Sequence, residues 1–134
     1  MDGGADYINK AIRKYKDSEF SSRTHFFKSL PIEYYGPVLN NTLCLIGNSS
    51  SGIREAAFLG TPTVNIGTRQ SGRERGENVI DVDYNSQSIK NAIEQQIRIK
   101  KYKPNYLYGN GYSAGKIIDV IKNLKINIQK KNSY

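Results

Sequence analysis

The sequence predicts an α/β fold, a doubly wound, mostly parallel sheet with helices on both faces. Short apolar runs alternate with stretches of helical periodicity along the chain. The apolar run Leu43-Cys-Leu-Ile46 halts at Gly47, and a small polar stretch, Asn48 to Ser51, leads through Gly52 into a helical pattern. A second run, 61–66, ends in a loop rich in Gly, Arg and Ser, 67–77. In parallel sheets ligands bind at the carboxyl ends of the strands, so both loops fall on the ligand edge.

The elements follow in order. Residues 6–17 place Ile8, Ala11, Ile12 and Tyr15 at helical spacing. Residues 24–28, Thr-His-Phe-Phe-Lys, read as a short strand. Pro31 suits the first turn of a helix reaching Leu39, with a kink or a late start at Gly36-Pro37, and Asn40-Asn41 ends it. A strand over 42–46 precedes a helix over 52–59 that buries Ile53, Ala56, Ala57 and Phe58, with Gly60 as its C-cap. Strands 61–66 and 78–82 flank the Arg-rich loop. Residues 86–99 form a long helix with Ile89, Ala92, Ile93, Gln96 and Ile97 on one face. After a Pro/Tyr/Gly loop, 104–113, a last helix, 114–128, carries Ile117, Ile118, Val120, Ile121, Leu124 and Ile128. Residues 129–134 read as a frayed basic tail, which leaves one domain over 1–128. The chain opens on a helix, whereas a doubly wound domain normally opens on a strand.

The net charge is +8, from 20 Lys and Arg against 12 Asp and Glu. Much of the excess lies in 98–103 and in Lys122, Lys125, Lys130 and Lys131, on solvated faces or ends of the last two helices. Arg54, Arg69, Arg73 and Arg75 gather instead around the two loops, an arrangement that suits a diphosphate better than a nucleic-acid duplex. The ten tyrosines are scattered and make no stacking platform. No apolar run reaches the roughly 18 residues of a membrane span, so no membrane partner is expected. The acidic start of the chain lacks an apolar signal region, and the one cysteine, Cys44, sits in a strand pattern, so a cytoplasmic location is expected. The only histidine, His25, reads as packing beside Phe26.

A strand that ends in a Gly/Ser loop opening a helix is a place to hold phosphate, because amides at a helix start are unpaired and the helix dipole favours an anion. The competing reading of Ser49, Ser50 and Ser51 is plain N-capping, and that of Glu55 is a first-turn acid. The segment Gly47-Asn-Ser-Ser-Ser-Gly-Ile-Arg-Glu55, then Gly60-Thr-Pro-Thr-Val-Asn-Ile-Gly-Thr-Arg-Gln70, then Gly72-Arg-Glu-Arg-Gly-Glu-Asn78, resembles the UDP-N-acetylglucosamine 2-epimerases. The hydrolysing branch is the nearest match, and Leu107-Tyr-Gly-Asn-Gly111 resembles it too. The resemblance runs from about Asp2 to Leu124.

The resemblance implies the second Rossmann-like domain of a glycosyltransferase-B-type fold, lacking its first strand. It places Ser49, Ser50, Ser51, Gly52 and Arg69 at the diphosphate of UDP, Glu55 at the ribose and Leu30 at the uracil, with Thr68, Arg73 and Asn78 as further loop contacts; Leu30 reads equally as a core leucine, and Asn78 as a residue that fixes the loop through its side-chain amide. The family's catalytic histidine belongs to a motif just before Met1, and its acidic groups lie in the first domain. The chain is therefore expected to hold no catalytic residue, to need no cofactor or metal, and to be inactive alone. Its expected ligand is UDP or a UDP-amino-sugar, in a pathway to sialic-acid-like sugars. The N-terminal domain of the same enzyme is the expected partner, in a homo-oligomer when intact. Two other readings stand beside this one: the nucleotide-sugar domain of a glycosyltransferase of the same architecture, and a non-enzymatic basic binding module.

Overall fold

The computed structural model describes residues 5–125 and divides the chain into two compact units, Met1–Tyr34 and Tyr35–Tyr134. In the first unit, α1 (Ala5–Lys16) carries Asp6 in its first turn and Arg13, Lys14 and Lys16 in its last, which complements the helix dipole. A 3-10 helix, Glu19–Arg23, follows. The strand expected over 24–28 does not form. A strand needs a hydrogen-bonded neighbour. Here Phe26 turns back onto α1, edge-on to Tyr15 at 6.3 Å and beneath Lys16 Nζ at 4.7 Å. His25 is exposed rather than packed.

The boundary between the units falls within α2 (Ile32–Asn41), which contains Pro37 and continues through it to Asn41. Its carboxyl end is capped by Lys101, whose Nζ donates to the Asn40 carbonyl at 2.7 Å and to Asn40 Oδ1 at 3.0 Å. A cation at the negative end of the helix dipole is favourable.

The second unit is built on a parallel sheet of β1 (Leu45–Gly47), β2 (Thr63–Ile66) and β3 (Val79–Val82), in that order. Ile46 stands beside Val64, and Val64 beside Ile80. The order is sequential, so the reversal that defines a doubly wound sheet does not occur among the described residues. What they form is an α/β unit with a three-stranded parallel sheet.

The connection from β1 to β2 departs from the single helix expected over 52–59. It is a 3-10 turn, Ser50–Gly52, followed by the short α3 (Glu55–Leu59). Serine hydroxyls compete for backbone amides and tighten the turn. Gly60 ends α3 in the left-handed conformation, φ 69°, where a Cβ would run into the Tyr102 carbonyl. The connection from β2 to β3, residues 67–78, contains no helix.

Helix α4 (Ser86–Ile99) matches its expected limits, because Asn85 Oδ1 accepts from the amides of Gln87 and Ser88 at its start. Helix α5 spans Ser113–Asn123. The expected continuation to 128 and the basic tail, 129–134, lie outside the described residues from 126 on. Ile117, Ile118, Val120, Ile121 and Leu124 are exposed.

The core is small. Leu39, Ile53, Ala56, Ala57, Val64 and Ala92 are buried beside the polar Thr61, Thr63, Asn65, Gln70, Asn78 and Gln96. Gln96, assigned by periodicity to an apolar face, is fully buried and donates to the Thr63 and Asn78 carbonyls at 2.8 and 2.9 Å. Tyr102 donates to Gln96 Oε1 at 2.8 Å, so every polar atom of that amide with a bond here ties β2 to the start of β3 and to the loop after α4. Among the described residues no helix is long and apolar enough to cross a membrane.

Candidate functional site: two loops at the carboxyl ends of the strands

The loop after β1 and the loop after β2 leave the sheet at the same edge, because β1 and β2 are parallel neighbours with Gly47 beside Asn65. The serine loop is a closed turn. Ser49 Oγ accepts from the Ser51 amide at 3.3 Å, and the Ser49 carbonyl accepts from Gly52 N at 3.1 Å. The Ser50 carbonyl accepts from Ile53 N and Arg54 N. The amides of 51–54 are thus paired within the turn, contrary to the expectation of free helix-start donors. Those four amides are not free for an anion, and the serine hydroxyls remain. With a lone pair of Ser49 Oγ taken by the Ser51 amide, its O–H is directed elsewhere. Ser49 is exposed and Ser50 half-buried.

Ser51 is placed differently from its neighbours. Its Oγ lies 2.7 Å from the Tyr35 hydroxyl of α2, so it anchors the turn to that helix. Gly52 is buried against β2, where a Cβ would come within 2.6 Å of Thr63 Cγ2. It contributes a tight approach of the turn to the sheet rather than a surface for ligand. Glu55 is exposed at the start of α3.

Asn78 is also structural in its placement. It is 2% exposed and donates through Nδ2 to the Gly52 carbonyl at 3.2 Å and the Thr61 carbonyl at 3.0 Å. It therefore holds the serine turn from below and cannot reach a ligand at the surface.

The second loop carries Thr68, Arg69 and Arg73 exposed on its outside and Gln70 buried at 3%. Gln70 Nε2 donates to the Asn48 carbonyl at 2.8 Å, which fastens this loop to the serine loop. Arg69 reaches across the same seam, with Nη1 3.5 Å from Asn48 Oδ1. The four arginines expected around a phosphate divide by role. Arg75 is committed to the protein: it donates to the Gln70 carbonyl at 2.6 Å and pairs with Asp81 through Nε at 2.9 Å, while Asn65 donates to the other Asp81 oxygen at 2.6 Å. Arg54 lies over the Tyr108 ring at 5.8 Å, and the Tyr108 hydroxyl donates to the Glu74 carbonyl at 2.7 Å. Arg69 and Arg73 remain outward, where they can meet a ligand.

An open cleft of about 520 Å³ lies beside the second loop, lined by Gly67, Thr68, Ser71, Arg75, Asp83 and Tyr84 among others. Its charged groups are largely engaged, Arg75 with Asp81 and Asp83 Oδ1 with the Asn85 amide. Leu30 belongs to the first unit and is half-buried. Among the described residues no cluster of His, Cys, Asp and Glu could hold a metal ion.

Sequence reasoning did not single out Tyr35, Asn48, Gln70 or Tyr108. Asn48, Gln70 and Tyr108 lie inside the motif segments that carry the resemblance, but a polar residue such as Gln70, between arginine and serine, gives no sign that it is buried.

A family model described as UDP-N-acetylglucosamine 2-epimerase matches residues 2–122. The chain is 34% identical over 125 residues to a UDP-N-acetylglucosamine 2-epimerase of Neisseria meningitidis serogroup B, covering 91% of this chain and 32% of that protein. It is 33% identical over 136 residues to a hydrolysing UDP-N,N'-diacetylbacillosamine 2-epimerase of Legionella pneumophila, covering 99% of this chain and 35% of the relative. It is 41% identical over 100 residues to polysialic acid biosynthesis protein P7 of Escherichia coli, covering 75% and 24%. The chain thus spans about a third or less of the length of the curated relatives it matches. A match over nearly the whole chain places it in a family: the chain belongs to the UDP-N-acetylglucosamine 2-epimerases.

Proposed function

We propose that this chain is the UDP-binding part of a hydrolysing UDP-N-acetylglucosamine 2-epimerase, the second Rossmann-like half of a glycosyltransferase-B-type enzyme. The observation that carries the reading is the seam between the loops, where Gln70 and Arg69 meet Asn48 next to Ser49 and Ser50. Serine hydroxyls on one side and an exposed guanidinium on the other suit the two phosphoryl groups of a diphosphate. Glu55, exposed at the start of α3, has the acceptor chemistry for the vicinal diol of ribose.

In the intact enzyme the reaction is anti-elimination of UDP from the amino-sugar, then addition of water to the resulting glycal with inversion at C2. The C1–O bond breaks with its electron pair on the UDP oxygen, and the proton lost from C2 goes to a base outside this chain. The role of the present residues is electrostatic: Arg69 and the serine hydroxyls stabilise the charge that grows on the departing diphosphate. The products are UDP and an N-acetylmannosamine-type sugar, of use in sialic-acid-like pathways. Alone, the 134-residue chain binds UDP and does not turn over.

Isothermal titration of the chain with UDP, alongside an assay for UDP release from UDP-N-acetylglucosamine, tests both halves of the proposal. Saturable binding without release is expected. Release by the purified chain contradicts its inactivity, and absence of UDP binding contradicts the site.

A further inference from the structure

We infer that Asn48 and Gln70 are positioning residues that fix the spacing of the two loops and thereby make the site selective for a nucleoside diphosphate over the monophosphate. The inference rests on the proposed function in taking these loops as the diphosphate site.

Each loop has a fastening residue directly beside a ligand residue. On the first loop Asn48 precedes Ser49, and on the second Gln70 follows Arg69. The buried Gln70 amide donates to the Asn48 backbone carbonyl, so the main chains of the two loops are joined at that point. The Gln70 main chain is itself held, since its carbonyl accepts from Arg75, which is paired with Asp81 of β3. The bridge is thus braced by the sheet rather than by another loop.

Asn48 makes a second contact of a different kind. Its side-chain oxygen accepts from Arg69 at 3.5 Å, a long bond between exposed groups. A short, part-buried bond sets where the Arg69 backbone stands, and a loose exposed one holds its guanidinium at Asn48 of the first loop while leaving it free to turn onto an anion. A ligand with two phosphoryl groups can engage the hydroxyls with one and the guanidinium with the other. A monophosphate reaches one side only, so its binding is insensitive to the spacing.

The test is isothermal titration of the full 134-residue chain and its variants with UDP and with UMP. The unaltered chain is expected to prefer UDP. Gln70→Met removes the bridge, and Asn48→Ala, which keeps the bridging carbonyl, removes only the hold on the Arg69 guanidinium; UDP binding should weaken by about tenfold in the first and about threefold in the second, with UMP within about twofold in both. Arg69→Ala should cost less in the Asn48→Ala background than in the unaltered chain, the sign of coupled residues. An unchanged UDP-to-UMP ratio in both variants, or an equal loss for both nucleotides, overturns the inference. Should Gln70→Met fail to fold, Asn48→Ala, whose side chain is exposed, decides through the Arg69 contact: an unchanged UDP-to-UMP ratio there overturns the inference. No binding of UDP by the unaltered chain overturns the proposed site together with this inference. Preference for UDP with variants that keep it overturns this inference alone.

Discussion

Asn78 holds Gly52 from beneath: its side-chain amide donates to the Gly52 carbonyl at 3.2 Å and, with the same nitrogen, to the Thr61 carbonyl at 3.0 Å. The residue just before β3 thereby supports the turn that follows β1. Replacing Asn78 by Ala leaves the Gly52 carbonyl without this donor, at about 1–3 kcal/mol, whereas the Thr61 carbonyl keeps the Thr63 hydroxyl at 3.3 Å. Urea unfolding should show a loss of about 1–3 kcal/mol, a sizeable share of a stability of about 5–15 kcal/mol.

Ser51 and its neighbours should separate by function. Ser51→Ala loses the Tyr35 contact and keeps the outward hydroxyls, so UDP affinity should fall by less than about threefold. Ser49→Ala and Ser50→Ala each remove a donor to an ionised phosphate, where a hydrogen bond contributes about 1.5–3 kcal/mol, so affinity should fall by about tenfold or more. Titration of the three variants under one set of conditions distinguishes anchor from ligand contact.

Glu55 can be tested through the sugar of the nucleotide. The unaltered chain should bind UDP more tightly than 2'-deoxy-UDP, by about three- to tenfold for a lost charge-assisted bond. Glu55→Gln should erase most of that difference by weakening UDP and leaving the deoxy form nearly unchanged. An equal effect on both nucleotides would assign Glu55 to the start of α3 alone.

Two groups predict how stability responds to alkali. Burial raises the Cys44 thiol above its ordinary pKa, against a smaller opposing contribution from a hydrogen bond with the Val64 backbone. Burial also raises the Tyr102 phenol, with smaller contributions from the charges of Glu77 and Cys44. A folded-state pKa above the unfolded one means that the folded chain holds the proton more tightly. The resulting stability is complete below the ordinary values of 9.0 and 10.0 and is lost as pH rises through the shifted ones. Midpoints of urea unfolding should therefore hold level up to about pH 8.5 and fall above about pH 9. The fall should be shallower in Cys44→Ala.

The alternation of strands and helices was legible because it is written in periodicity, and α4 kept its expected limits because Asn85 caps it. Local chemistry misled where side chains had other partners. The Phe-Phe pair at 26–27 looked like a strand, but Phe26 found Tyr15 and Lys16 on α1 instead of a sheet edge. The serine loop promised free amides at a helix start, yet it closes a 3-10 turn that consumes those of 51–54. Arg75 carries the same charge as Arg69 and lies six residues further on, but Asp81 claims it. Periodicity placed Gln96 on the inner face of its helix, where it is buried, but burial of Gln70 left no trace in the sequence, since polar residues default to the surface and only the assembled loops supply the carbonyl it serves.

The most direct test of the two-loop site is a titration of the isotopically labelled 134-residue chain with UDP, followed residue by residue through its backbone amide signals. Saturable shifts concentrated at 48–55 and 67–70, and largely absent with uridine, are the predicted result. Saturable shifts centred elsewhere, or equal shifts with uridine, would contradict it.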